Sequence, residues 1–220
     1  MIEITKASLI KNERTILSDI SVKLTESRIG IIGHNGSGKS SFAKLLNGLE
    51  PCTTGQVRVG GADISEHRAR VGFVFQNPDN QLVMPLVEED IAFGLKKSGL
   101  SKSEINGRSD ALLEKFGLAH LRERLTHELS GGEKQLIALI GVLIMQPEHI
   151  ILDEPTTLLD LRNRAILLAM LDKLEQQLII VSHDLDLMAQ MDRLLLIHEG
   201  RLHADGDPSQ IIETYRDLSV

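Results

Sequence analysis

An α/β fold, with a mostly parallel sheet core, an N-terminal antiparallel β part and an inserted α-helical lobe, follows from three features of the sequence. The first sixty residues alternate apolar and polar like strands, residues 77–145 carry helical signals, and apolar strand-like runs separated by a helical segment return after residue 146. The chain therefore reads as one domain, 1–220, whose sheet core (1–76 and 146–220) is interrupted by a helical lobe (77–145).

In order, "IEITKASLI" and "ILSDISVKL" alternate about the turn "KNER" and predict an antiparallel pair. "RIGIIG" is continuously apolar, as a strand buried on both faces would be, and runs straight into a glycine loop. A helix over "KSSFAKLLNGL" stops at Gly48, before Pro51; "PCTTG" is a turn and "GQVRVGGADI" another strand. In the lobe, "SKSE" at Ser101–Glu104 is a capping box that opens a helix through "INGRSDALLEKFG", which Gly117 ends. A further helix begins at "LSGGEKQ", Leu129–Gln135, and ends at Pro147. Strands then return at "HIILDEP", "QQLIIVSHD" and "DRLLLIHEG", the first two separated by the helical "RNRAILLAMLDKLEQ", and "GRLHADGDP" reads as a closing turn.

Composition narrows the functions open to such a fold. With 220 residues, 42% hydrophobic and 25% charged, the chain can bury a substantial core. A formal charge of −7 argues against a broad nucleic-acid surface, which needs clustered Lys and Arg. The single cysteine, Cys52, cannot form an internal disulfide, which points to a reducing compartment. No apolar run approaches the ~20 residues of a membrane span. No basic stretch followed by an apolar block marks a secretory leader. Any membrane work would go through a partner.

The chemistry is concentrated in four places. "GHNGSGKS" fits G-x-x-x-x-G-K-[ST] after a buried strand and before a helix, the context in which the pattern marks a phosphate-binding loop. Gly33, Gly36 and Gly38 would let backbone N–H groups face phosphates, Lys39 would reach the β/γ oxygens, and the Ser40 hydroxyl would ligate Mg²⁺. Asp153 and Glu154 end an apolar strand, where open α/β sheets bind ligands; Asp153 would hold Mg²⁺ and Glu154 would act as general base on a water. His183 ends the next apolar strand, one helix later, so it is expected beside that carboxylate pair and could donate to a γ-phosphate. The histidines at 34, 67, 120, 127, 149, 198 and 203 read as structural. Gln76 lies where the sheet gives way to the lobe, so its amide could touch Mg²⁺ or the attacking water while its backbone moves with the lobe.

"LSGGEKQ" is a puzzle beside these: a hydroxyl, two glycines and a helix start make a second anion site in a chain that already has a better one. The ordered set "GHNGSGKS", Gln76, "LSGGE", "ILDEP", Asp160 and His183 resembles the ATPase subunits of ATP-binding-cassette transporters over essentially the whole chain. The resemblance implies two cassettes placed head to tail, with each ATP between the phosphate loop of one and the signature motif of the other. ATP would then be held by Gly33, Asn35, Gly36, Ser37, Gly38, Lys39, Ser40 and Ser41, and in trans by Ser130, Gly131, Gly132 and Asp160. Mg²⁺ would be held by Ser40, Gln76 and Asp153, and the catalytic set would be Glu154, His183 and Gln76. On this view "LSGGEKQ" completes the partner's site, and Asp160 lies at the seam.

Within the family, "FQNPDNQLVMPLVEEDIAFGL", with its second glutamine Gln81, resembles the subgroup that powers energy-coupling-factor importers of vitamins and metal ions. The resemblance implies a second ATPase subunit, an identical copy being simplest and a paralogue the alternative. It also implies a transmembrane coupling subunit gripped by the helical lobe, a small substrate-binding membrane subunit, no nucleic acid, and a place on the cytoplasmic face of the membrane. The short chain is more similar to biotin-type ATPases than to the longer cobalt type. Some positions depart from the pattern: Leu9 and Ile10 stand where an aromatic usually stacks on adenine, which forgoes the ~1–3 kcal/mol of such a stack. Leu158 replaces a common glycine and so implies an ordinary backbone, while Glu133 and Leu136 replace a frequent glutamine and arginine. A cassette ATPase working on nucleic acid or ribosomes would carry long coiled coils or a second fused cassette, and a small-molecule kinase would leave "LSGGE" unexplained.

Overall fold

The computed structural model describes residues 1–218. In chain order its elements are β1 (Ile2–Lys11), β2 (Arg14–Leu24), β3 (Arg28–Ile32), α1 (Lys39–Asn47), β4 (Thr54–Val59), β5 (Ala62–Asp63), α2 (Ile64–His67), β6 (Val71–Val74), α3 (Val87–Phe93), α4 (Lys102–Lys115), α5 (Gly131–Leu143), β7 (His149–Asp153), α6 (Leu161–Asp172), β8 (Gln177–Val181), α7 (Leu185–Met188), β9 (Arg193–His198), β10 (Arg201–Gly206) and α8 (Pro208–Asp217). They fall into two compact units. One comprises Met1–Phe73, Glu148–Glu154 and the residues from Gln176 onward; the other comprises Val74–Pro147 and Pro155–Glu175.

The first unit holds the strands. A six-stranded sheet runs in the order β10-β9-β3-β8-β7-β6, with β3 parallel to both β8 and β9, β7 parallel to β8, and β10 antiparallel to β9. Ile151, Ile179 and Ile29 lie side by side across it, and β7 is buried along its whole length. That double burial explains the unbroken apolar runs read from the sequence. Phe42, Leu45 and Leu46 of α1 are all at most 1% exposed, and α1 packs on β7 and β8. Burying each such side chain stabilises by roughly 1.5–3 kcal/mol. A second, antiparallel sheet, β2-β1-β4-β5, alternates buried and exposed residues as a one-faced sheet does. Its first hairpin turns on two residues, Asn12 and Glu13, both with left-handed φ, the geometry that matches strand twist.

The second unit is helical. The Ser101–Glu104 capping box opens α4, and Gly117, at φ 71°, follows its end. Helix α5 is apolar on nearly every side and correspondingly buried from Gln135 to Leu143 apart from Gly141. It packs against α3 and α6. Although α6 lies in sequence between two strands of the large sheet, it groups with the helices. Among the described residues no helix is long and apolar enough to cross a membrane.

One expectation is corrected. "GRLHADGDP" is not a turn: it forms edge strand β10 and enters helix α8. The turn is confined to Glu199 and Gly200, both left-handed, which make a two-residue hairpin between β9 and β10. Asp207 then caps α8, accepting from the Ser209 N–H at 2.9 Å with Pro208 in the first turn.

Candidate active site

In the first unit β3 delivers the chain into the loop 33–38, and the loop is shaped by three glycines. Gly33, Gly36 and Gly38 have φ of 150°, 79° and 105°. A Cβ on Gly33 would lie 2.1 Å from the Ile197 carbonyl oxygen, and one on Gly38 would lie 2.9 Å from Leu17. Gly38 is also the N-cap of α1 and provides no side-chain cap, so the N–H groups of that helix start are left to an anion. Lys39, 8% exposed, donates its ammonium to the carbonyls of Gly33 (2.7 Å) and His34 (3.0 Å), which folds the loop around the charge. Burial pulls the Lys39 pKa down from its ordinary value, and Glu154 and Asp153 oppose that pull. The Ser37 hydroxyl is buried with no hydrogen-bond partner. Asn35 is exposed and Ser41 half-buried on either side of it. The His34 ring, expected to be plain loop, lies 5.1 Å from the Tyr215 ring of α8 and 6.2 Å from that of His198.

The two carboxylates close the other side of this site. Ser40 Oγ donates to Asp153 Oδ1 at 2.9 Å. Asp153 is 4% exposed; burial pushes its pKa up, against the Ser40 hydrogen bond. The next residue, Glu154, sits at φ 48°, a conformation that costs a non-glycine residue on the order of 1–3 kcal/mol. Its N–H is held by the Val181 carbonyl at 2.9 Å, and its Oε2 meets His183 Nδ1 at 2.8 Å. Parallel pairing of Asp153 with Val181 puts the two strand ends side by side, so that the adjacency of His183 and the acid pair, expected from chain order, is present. Glu154 is buried while the His183 side chain is 63% exposed. A fixed carboxylate oriented by an imidazole, next to an ammonium and a hydroxyl, is equipped to accept a proton and to neutralise anionic charge.

In the second unit Ser130 is the N-cap of α5. Its N–H and its hydroxyl both donate to Glu133 Oε2 at 2.8 Å, and its oxygen accepts from the Glu133 N–H at 3.3 Å, forming a complete capping box. The Ser130 N–H, and next its hydroxyl, hold the Glu133 carboxyl below its ordinary value. This box is legible as S-x-x-E and was missed, although the same pattern was read at Ser101. Gly131 is exposed and Gly132 buried. Asp160 is the N-cap of α6 and accepts from the Asn163 N–H at 2.7 Å. Gln76 is exposed in a bend, and the backbone of its neighbour Phe75 is clamped by two amides. The Phe75 N–H donates to Gln81 Oε1 at 3.2 Å, and Gln135 Nε2 donates to the Phe75 carbonyl at 3.2 Å. Gln135 closes the "LSGGEKQ" stretch, but nothing in the sequence joins it to Phe75. Leu158 has no left-handed φ, in line with its sequence.

The sequence model of the ABC transporter family matches residues 17–157. The chain is 46% identical to the biotin transport ATP-binding protein BioM of Rhizobium etli, over 100% of this chain and 99% of the relative. It is 42% identical to the energy-coupling factor transporter ATP-binding protein EcfA1 of Levilactobacillus brevis, over 92% of this chain and 76% of the relative. Among solved structures it is similar to cbiO1 from Clostridium perfringens, described as part of the ABC transporter complex cbiONQ. The TM-score is 0.84 at 31% identity, covering 100% of this chain and 93% of that one. With the phosphate loop, the acid pair and the capped signature serine in place, this chain belongs to the ABC transporter family of ATP-binding ATPases.

Proposed function

We propose that this chain is the ATP-hydrolysing subunit of an energy-coupling-factor importer, with biotin as the favoured cargo and cobalt or nickel next. The observation that carries the reading is the Glu154–His183 pair at 2.8 Å, on a strand end beside the Lys39 loop. The relatives named for biotin transport and for energy-coupling factors support the choice of subgroup.

The residues present fit a magnesium nucleotide. The buried, unpartnered Ser37 hydroxyl is a donor waiting for an acceptor, and Ser40 with Asp153 presents one hydroxyl and one carboxylate at 2.9 Å. Ser40, Asp153 and Gln76 would hold Mg²⁺, which when bound neutralises phosphate charge. Backbone N–H groups from Gly33 to Ser41, Asn35 among them, cradle the phosphates, and Lys39 shifts from its own carbonyls to the β/γ oxygens. Glu154 takes a proton from the attacking water as the new P–O bond forms and the bond between Pγ and the β–γ bridging oxygen breaks, giving ADP and phosphate. His183 keeps Glu154 Oε2 in place through Nδ1 and turns its other nitrogen to the γ-phosphate. Ile10, 46% exposed at the end of β1, offers the base an aliphatic surface in place of an aromatic one.

A second copy, or failing that a paralogue, would contribute Ser130, Gly131, Gly132 and Asp160 to complete the γ-phosphate site. The nucleotide-binding core would be 1–76 with 146–220. The lobe 77–145 would grip a transmembrane coupling subunit, itself joined to a substrate-binding membrane subunit, on the cytoplasmic face. Glu154→Gln is expected to keep ATP binding, to lower turnover by 10² to 10³, roughly 3–4 kcal/mol, and to accumulate an ATP-bound dimer on size exclusion. Full turnover in that variant would overturn Glu154 as the base. Isolation in mild detergent should bring down membrane subunits; recovery with ribosomes or DNA instead would overturn the transport reading.

A further inference from the structure

The two glycines of the signature turn are not equivalent. A Cβ on Gly131 would meet nothing nearer than the Leu158 carbonyl oxygen at 3.9 Å, an ordinary contact. On Gly132 it would lie 2.4 Å from Asn163 Nδ2, 2.6 Å from Cγ and 2.8 Å from Cβ. The missing side chain is replaced by an amide from another helix. Gly132 is buried and Asn163 half-buried, so the contact is an interior one. Asn163 is itself fixed, because its N–H is the donor that Asp160 caps at 2.7 Å. The chain of contact therefore runs from Asp160, through the backbone and side chain of Asn163, to the helix turn that carries Ser130. The grouping of α6 with α5, rather than with the strands on either side of it in sequence, is the larger-scale counterpart of that contact.

We propose that Asn163 is a positioning residue that locks the Asp160 loop to the start of α5, so that Ser130 and Asp160 meet the opposing nucleotide as one rigid edge. Gly132 is then glycine in order to admit Asn163, and Gly131 in order to admit the phosphate. This rests on the functional reading above. A side chain packed this closely against a backbone turn limits how far the turn can shift, and an oriented donor set loses most of its effect when displaced by about 1 Å. Asn163 touches no nucleotide in this proposal; it acts through Ser130 and Asp160.

The test is compensation, performed on the full chain. Asn163→Gly, Gly132→Ala and the double substitution are made in the Glu154→Gln background, and three quantities are measured: melting temperature, nucleotide binding to the single chain, and the ATP concentration that gives half-maximal dimer. The glycine at 163 keeps the N–H that Asp160 caps. Each single change is expected to leave single-chain binding at the parental value and to raise the ATP needed for the dimer by about tenfold. The double variant is expected to need about the same ATP as Asn163→Gly alone, not the roughly hundredfold more that two independent losses would give, because removing the amide vacates the space the new methyl needs. The proposal is overturned if Gly132→Ala is equally damaging with and without Asn163, since the glycine would then serve ligand approach. It is also overturned if Asn163→Gly behaves as the parent, a readout that stands even if Gly132→Ala fails to fold. If the Glu154→Gln parent itself forms no dimer with ATP, the functional reading fails, and this inference falls with it.

Discussion

The start of α1 and the start of α5 are two helix N-termini with glycines and a serine nearby, yet they are built in opposite ways. At α1 the loop is held by left-handed glycines, the N-cap is Gly38, and no side chain caps the helix. A buried lysine supplies the positive charge. At α5 no signature glycine has positive φ, and the helix start is closed by the Ser130–Glu133 box. The carboxylate there is held in its charged form. The first is a binding surface that gives up its own capping to a ligand; the second is a self-sufficient helix start that can lend donors without depending on one. On the function proposed above, one chain then carries both without owning two independent phosphate sites.

The largest expected effect separates the two by a methyl group. Gly33→Ala drives Cβ into the Ile197 backbone oxygen and should cost roughly 3 kcal/mol or more of stability, with loss of nucleotide binding. Gly131→Ala should stay within about 0.5 kcal/mol of the parent in a denaturant titration, so any loss of turnover there reports ligand approach. Equal destabilisation of the two would erase the distinction. Next, Ser130→Arg should cost about 1 kcal/mol through loss of the cap and leave single-chain ATP binding near the parental value. It should nonetheless remove dimer closure and hydrolysis. Full-rate hydrolysis by an isolated monomer would show that α5 lends nothing.

The smallest effect is on stability, and its size depends on pH. Asp153 has a raised pKa, chiefly from burial, so above the unfolded carboxylate value the folded state bears a penalty that grows as pH rises through the raised pKa and is absent in strong acid. Asp153→Asn should therefore stabilise the ligand-free protein near neutrality, and progressively less toward acid, while ending hydrolysis. Glu133 is shifted the other way, so its contribution is complete above its unfolded value and is lost only as pH falls through the lowered one. Denaturation curves at several pH values would separate the two carboxylates.

Most of the sheet could be read in advance because burial on both faces writes itself into the sequence as unbroken apolar runs such as "RIGII" and "HIILD". The phosphate loop was legible for a similar reason: its backbone angles tolerate only glycine at fixed spacing. The adjacency of His183 to Glu154 followed from the rule that successive parallel strands lie side by side. What did not show through is contact made by ordinary residues at a distance. Gln135 and Gln81 clamp Phe75, Tyr215 backs His34, and Asn163 fills Gly132, and in none of these does the residue type announce which partner it meets. The grouping of α6 with the helices was equally silent, since a helix between two strands has the same pattern whichever neighbours it packs on. Strand β10 reads as a turn because its exposed residues Arg201, His203 and Asp205 are polar and it follows Gly200 and ends at Gly206.

Glu154 turns its peptide to φ 48° directly before Pro155. A residue without a side chain would take that angle at little cost, so the carboxylate is retained there against the preference of the backbone. A directed-evolution campaign rewarding only heat resistance would find both members of the acid pair among its easiest gains, and would arrive at a sturdier protein that no longer turns over ATP.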